Sequence, residues 1–181
     1  MTAARRTPVS KQLLAAIQDK HLRAIASRWW QCRAGQPVPE WRHMPHDAFA
    51  PLMPAVLLYH HVPAERSFRI EPLRPDLTGL TRLPLEGKLM DEFLPPDMLE
   101  SVRARLMSVI GAPAVVLVRV GDRANPARGV VEERLMLPMR TGRTVDRVLA
   151  AYSRLDPSAH GWLPITQNEL SVVELPVATL A

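Results

Sequence analysis

Few residues of the chain are able to do metal or nucleophilic chemistry, and their spacing matches no known catalytic pattern. One cysteine, Cys32, accompanies six histidines, which are His21, His43, His46, His60, His61 and His160. Zinc ligands follow one another at short fixed intervals, and no interval between these histidines fits such a motif. Cys32 follows two tryptophans near a predicted helix end, which is typical of a buried structural thiol. We therefore expect neither a metal site nor a cysteine nucleophile.

The sequence also lacks the motifs that bind phosphate and a usable pair of acids. Neither a GxxxxGK[ST] nor a GxGxxG loop occurs. Neighbouring residues of a strand point to opposite faces, so Glu132 and Glu133 cannot act as one acid–base pair. If Glu133 points inward, we expect it to form an ion pair or to contact a polar ligand. These features favour a protein that is not an enzyme.

Composition adds weak evidence about partners and compartment. The formal net charge is +5 and the isoelectric point is about 10.1. The arginines are spread along the chain among acids, so we expect a mixed surface rather than a nucleic-acid-binding face. The sequence contains no apolar run long enough to span a membrane and no apolar stretch at its start, and its single cysteine fits a reducing compartment. We expect a cytoplasmic protein.

Strand patterns are strongest between Gly129 and Leu155. Glu133, Leu135, Leu137 and Met139 fall on one face and alternate with more polar residues, which is typical of a strand covered on one side. Gly142 suits the turn that a hairpin needs. A short apolar run near 54–60, an alternating segment near 67–73 and a β-branched run near 114–121 add three strands to the hairpin arms near 129–139 and 144–154, so we expect a five-stranded sheet.

Helical periodicity marks two other segments. Pro96 to Ile110 is predicted as the long helix of the core. Lys11 to Cys32 is predicted as one helix with a wide apolar stripe, formed by Leu14, Ile17, Leu22, Ile25 and Trp29. We expect this stripe to pair with a second copy in a homodimer, and the alternative is that it caps its own sheet. The predicted organisation is an N-terminal arm and flanking helix (1–36), one domain (37–155) and a C-terminal extension (156–181).

The order of elements and several short motifs resemble a known family. Two strands, a helical crossover and three strands form the order of a PAS domain, an α+β fold with a five-stranded antiparallel sheet and helices on one face. The chain resembles the single-PAS-domain family of alphaproteobacteria over about residues 25–155. The resemblance rests on Trp29-Trp30, Arg33-Ala34-Gly35, Pro37, Leu52-Met53-Pro54, Phe68-Arg69-Ile70, Leu85-Glu86-Gly87-Lys88, Glu133-Arg134-Leu135, Leu137-Pro138 and Val145-Asp146-Arg147-Val148-Leu149.

The resemblance implies a sensory or regulatory module that interacts with a signalling partner. For the space between sheet and helices we expect a core filled by side chains, and the alternative is a pocket for a small organic ligand. The candidate pocket residues are His60, Phe68, Ile70, Leu106, Glu133 and Leu135. Flavin-binding members carry an asparagine-cysteine-arginine motif that Cys32 does not match, and haem-binding members carry a histidine on the long helix, where none occurs; we therefore expect no cofactor.

Two alternatives from other classes stay open. A small enzyme on a similar curved sheet would require a polar cluster, formed for example by His60, His61 and Glu133, in one cavity. A basic nucleic-acid-binding protein would require the arginines to gather on one face.

Overall fold

The computed structural model describes residues 10–44, 55–72, 85, 87–122, 125–155 and 169–180. Parts of several predicted elements lie outside these residues, including positions 54 and 73 of the first two strands, the first nine residues of the N-terminal arm and the first 13 of the C-terminal extension.

The fold is of the α+β class, and its centre is a six-stranded sheet in which every pair of neighbouring strands is antiparallel. The strand order is β2-β1-β5-β4-β3-β6. All five predicted strands are present. The strands are β1 (Ala55–Val62), β2 (Ser67–Pro72), β3 (Ala114–Gly121), β4 (Val130–Thr141), β5 (Thr144–Arg154) and β6 (Glu169–Pro176).

The prediction of five strands is wrong by one, because the C-terminal extension contributes β6 to the sheet. β6 pairs with β3 along its length, with Leu175 opposite Val115 and Val173 opposite Leu117. Leu175 is buried while Leu170 is 57% exposed, so the strand alternates between a covered and an open face. This segment therefore belongs to the same sheet as the predicted domain.

The β4–β5 hairpin has the predicted turn. Gly142 adopts a φ of +60°, the left-handed region that glycine enters without steric cost. Leu135 lies opposite Ala151 and Leu137 opposite Leu149, while the register shifts between Met139 and Arg140. The shift places a β-bulge beside the turn, which bends the hairpin locally.

Helix α3 (Pro96–Gly111) packs against one face of the sheet and confirms the predicted core helix. Its buried stripe includes Met98, Val102 and Leu106, and these side chains share a core with Phe68 and Ile70 of β2. Proline at the first helical turn is favourable there because its missing N–H would have no helical partner.

Helices α1 (Lys11–Ala16) and α2 (Lys20–Cys32) cover the opposite face of the sheet. Leu22, Ile25 and Trp29 are fully buried in a core that includes Leu135 and Leu137 of β4. The expectation of a strand covered on one side is therefore wrong for β4, which is buried on both faces. Apolar residues on both faces of β3 agree with this two-sided cover.

The predicted single helix from Lys11 to Cys32 is interrupted. Ile17 has φ −93° and ψ 127°, which ends α1, and Asp19 caps α2 by accepting hydrogen bonds from His21 N and Leu22 N. Of the predicted dimer stripe, Leu14 is half-buried and Ile17, Leu22, Ile25 and Trp29 are buried within their own chain. In the single chain the helices thus cap their own sheet, and self-association stays a prediction.

Candidate functional site

A polar cluster lies on the face of the sheet that α3 covers. Arg134 of β4 is directly opposite Tyr152 of β5, and its side chain is only 1% exposed. Arg134 donates from Nε to the carboxylate of Glu132, two residues earlier on the same strand. Residues two apart on a strand share a face, so the strand geometry itself forms this ion pair.

Two tyrosines complete the cluster. The hydroxyl oxygens of Tyr59 and Tyr152 are 3.3 Å apart and hydrogen-bonded inside the protein. Burial raises the pKa of Tyr59 well above its ordinary value and also raises the pKa of Tyr152, while the cation of Arg134 acts against both shifts. Both hydroxyls therefore stay protonated at neutral pH; one of them donates to the other, and the second O–H is able to donate to a further acceptor.

The surroundings of this cluster are apolar. Tyr59 and Tyr152 belong to the same core as Phe68, Ile70 and Leu106, which come from β2 and α3. A guanidinium and two phenols in such surroundings are able to recognise a carboxylate or carbonyl group on a small organic molecule.

The six predicted pocket residues separate into two groups. Phe68, Ile70 and Leu106 lie on the α3 face, next to the two tyrosines. Leu135 lies on the α2 face, and by strand alternation Glu133 shares that face with it. His60 lies on the α2 face as well, two residues after Leu58. The six residues do not line one pocket, because the sheet lies between the two groups.

Glu133 is fully buried and holds the junction between α1 and α2. Its Oε2 accepts hydrogen bonds from the backbone N–H of Gln18 at 2.9 Å and of Asp19 at 2.7 Å. Its Oε1 lies 3.2 Å from Nε of Arg119, and Arg119 also donates to the carbonyl of Ala16. The expected ion pair of an inward Glu133 is thus confirmed, and its further partners belong to the N-terminal helices.

His60 belongs to a separate group at the end of β1 where it pairs with Arg147 of β5. Its Nδ1 lies 3.1 Å from Oε1 of Glu71, and its Nε2 lies 3.7 Å from Oδ2 of Asp146. Arg147 pairs with Asp146 at 2.8 Å, and its guanidinium carbon is 5.9 Å from the ring centre of Trp41. The carboxylates of Glu71 and Asp146 and the guanidinium of Arg147 offset one another's charge at a partly exposed site.

The polar cluster that an enzyme would have required does not form from the three expected residues. His61 packs on the other face, where its ring centre is 5.1 Å from that of Phe68. His60 is in register with Arg147, and Arg147 with Met139. Glu133 lies six residues from Met139 along β4, a separation of about 20 Å at about 3.3 Å per residue. His60, His61 and Glu133 therefore do not converge.

Several arginines form ion pairs with acids of the same chain. Carboxylate partners are present for Arg103, Arg105, Arg119, Arg128, Arg134, Arg140 and Arg147. Such pairing lowers the positive potential that a nucleic-acid backbone would need. The expected mixed surface agrees with these contacts.

A groove of about 420 Å³ lies between the β4–β5 turn and the segment after α2. Pro37, Val38 and Val145 contribute apolar walls, and Arg140 and Arg143 contribute cations. None of the predicted pocket residues lines it. Arg140 is already engaged, because it donates to the carbonyl of Val38 at 3.0 Å and pairs with Glu40 at 3.2 Å.

Sequence reasoning missed Arg134, Tyr59 and Tyr152 as site residues. It placed Glu132, Arg134 and Met136 on the polar face of a half-covered strand. The signal that was available is the apolar run of β3, Val115 to Val118, because a strand that is apolar on both faces requires cover on both sides.

Among the described residues, no group of three or more histidine, cysteine, aspartate or glutamate side chains is arranged to hold a metal ion. No helix within the described ranges is long and apolar enough to cross a membrane. No protein-family model matches the chain, and neither a curated protein nor a solved structure is significantly similar to it.

Proposed function

We propose that the chain is a non-enzymatic regulatory module of PAS type, which binds a small organic carboxylate between its sheet and α3. The observation that carries this proposal is the burial of Arg134 and its partner Glu132 at a largely apolar core, with the buried hydroxyls of Tyr59 and Tyr152 on the same face of the sheet. The order of two strands, a helical crossover and then β3, β4 and β5 supports the PAS-type assignment, and β6 is an addition to that order.

The argument from Arg134 is energetic. Removing a guanidinium and a carboxylate from water costs free energy that their mutual attraction only partly returns. A pair of apolar side chains of similar volume would often be as stable or more stable at such a position. A buried ion pair next to two buried phenols therefore favours recognition over stability as the role of these side chains.

The hydrogen-bond donors and the positive charge of the cluster favour a ligand with a carboxylate group. A guanidinium carries five N–H donors in a planar fork, enough to serve Glu132 and a carboxylate ligand together. Phe68, Ile70 and Leu106 line the same core and suit the apolar body of such a ligand. A partner protein would then respond to the bound state of the module.

The test combines native mass spectrometry of the purified protein with thermal-shift screening of small aromatic and aliphatic carboxylates. Each acid is paired with its uncharged amide, and we expect only the acids to raise the melting temperature. Arg134→Gln should weaken binding of the best acid about tenfold or more, since a charge-assisted contact is lost. Arg103→Gln is the matched control, because Arg103 pairs with Glu100, whose side chain is 81% exposed.

Tyr59→Phe keeps the ring and tests the site even if Arg134→Gln does not fold. A weaker affinity for the acid in Tyr59→Phe supports the proposal. Equal binding of acids and amides, or the absence of both a co-purified molecule and any stabilising acid, would overturn it.

A further inference from the structure

The two edges of the sheet differ in how far the chain itself covers them. At the edge formed by β2, Ile70 donates its N–H to the carbonyl of Lys88 and accepts from the N–H of Gly87, both at 2.9 Å. At the opposite edge β6 pairs with β3 on its inner side, and no described strand lies on its outer side. Alternate N–H and C=O groups of β6 therefore point outward, and a further strand is the element that satisfies such a row.

The regular part of this open edge is short. The register between β6 and β3 shifts next to Ser171, which leaves Leu170 as the extra residue of a β-bulge. At the other end of the strand, Pro176 has no N–H to donate. Residues 171–175 are thus the regular edge, and they set the length of any strand that adds to it.

The exposed side chains of this edge are one apolar residue and one acid. Val172 is opposite Val118 and Glu174 is opposite Val116, and both of these β3 valines lie in the core that α3 covers. α3 packs against β3, β4 and β5, and at β6 Val172 is 39% exposed and Glu174 is exposed. Among the described residues Glu174 has no ion-pair partner. The edge therefore presents an apolar side chain and a negative charge two residues apart.

A second copy of β6 fits this edge poorly. Antiparallel pairing of two copies along residues 171–175 is centred on Val173, and it places Val172 of each copy opposite Glu174 of the other. An apolar side chain would then face a carboxylate twice, although cross-strand pairs stabilise a sheet when their members match in character. A strand with a cation opposite Glu174 and an apolar residue opposite Val172 makes both pairs favourable.

We propose that β6 binds an extended segment of a partner protein, which adds antiparallel to residues 171–175. The segment carries a lysine or arginine two residues before a β-branched or aromatic residue, so that these lie opposite Glu174 and Val172. The residue between them is apolar as well, because it lies opposite Val173, which packs against the core on the α2 face. The surface goes beyond the proposed ligand site and is argued from β6 alone.

The probe is a backbone-cyclised β-hairpin peptide with Thr-Lys-Val-Ile-Thr in one strand, because a preformed strand loses less entropy on binding. It is titrated into the isotope-labelled full chain, and NMR follows the backbone amides. We expect shift changes centred on residues 171–175 and slower solvent exchange of their outward amides. A hairpin with the reversed order Thr-Ile-Val-Lys-Thr should bind about fivefold more weakly, because both cross-strand pairs are then mismatched.

Glu174→Lys tests the charge pair. This variant should bind the lysine hairpin about fivefold more weakly than the original chain does. A hairpin with glutamate in place of the lysine should bind the variant more tightly than it binds the original chain. Met107→Lys is the matched control, since Met107 is an exposed apolar residue of α3, and it should leave both affinities unchanged.

Methylation of the peptide tests strand addition without a change in the protein. N-methyl groups on the outward amides of the Thr-Lys-Val-Ile-Thr strand leave the hairpin's own hydrogen bonds intact and should abolish binding. Binding that survives this methylation, equal affinity for the two residue orders, or no shift change at residues 171–175 would overturn the proposal. Shift changes there that follow protein concentration without any peptide would also overturn it, because they assign the edge to a second copy. Failure of this test leaves the acid-binding test of Arg134 untouched, since the two use different ligands.

Discussion

Loss of the buried carboxylate of Glu133 should destabilise the fold strongly, because it contacts Gln18, Asp19 and Arg119 from distant parts of the chain. Glu133→Ala leaves the N–H groups of Gln18 and Asp19 without their acceptor, at about 1–3 kcal/mol each. It also leaves Arg119 without its carboxylate, but the side chain of Arg119 is 21% exposed and is able to turn towards water. We therefore expect a loss of about 4 kcal/mol in the free energy of unfolding, within the range for breaking a buried ion pair.

The expected loss corresponds to a fall of about 8–16 °C in melting temperature for a chain of this size. Glu133→Gln keeps one acceptor oxygen and loses the charge, so it should cost about 1–3 kcal/mol. Glu100→Gln is the control, since this side chain is 81% exposed and its removal should change stability by less than about 0.5 kcal/mol. Urea unfolding followed by the fluorescence of the buried Trp29 and Trp30 provides the measurement.

Hydrogen exchange separates local from global effects. In Glu133→Gln the amides of Gln18 and Asp19 should exchange faster than the loss of global stability alone explains. If the free energy of unfolding of Glu133→Ala lies within about 1 kcal/mol of that of the original chain, the carboxylate does not stabilise the helix junction and the reasoning is wrong.

Three further predictions concern single side chains. Since burial raises the pKa of Tyr59 and Tyr152, the folded state retains protons that the unfolded state releases, and stability should fall as pH rises above about 10. Replacing both tyrosines by phenylalanine should flatten that fall, and an unchanged slope in urea titrations at pH 9 to 11 would refute the assignment. Burial lowers the pKa of His61, so the unfolded state binds more protons and stability should decline as pH drops below about 6.5; His61→Gln should remove this decline between pH 5 and 7. Trp29→Phe removes the hydrogen bond of 2.8 Å from Nε1 to the carbonyl of Pro138 and should cost about 1–3 kcal/mol in chemical unfolding, whereas no measurable loss would mean that the bond contributes nothing.

Local sequence patterns were sufficient to predict an element wherever the residues of that element alone determine its conformation. The stripe of α3 placed Met98, Val102 and Leu106 in the core because the helical period alone decides which residues share a face. Gly142 marked its turn because a positive φ favours glycine at any such turn, whatever surrounds it. The five predicted strands likewise followed from local patterns, which are a short apolar run in β1, a β-branched run in β3 and alternation in the others.

Contacts between distant residues decided the rest. Alternation put Glu133 and Arg134 on opposite faces, but it did not reveal that both faces are covered. Glu133 meets Gln18 and Asp19 across 115 and 114 positions of the chain, and this contact breaks a segment that the sequence predicts as one helix. The six predicted pocket residues lie on two faces of the sheet for the same reason. The face of a strand residue identifies its neighbours only when the layers above and below the sheet are known. Periodicity within an element is a property of neighbouring residues, whereas burial depends on which elements pack together, and only the tertiary structure determines that.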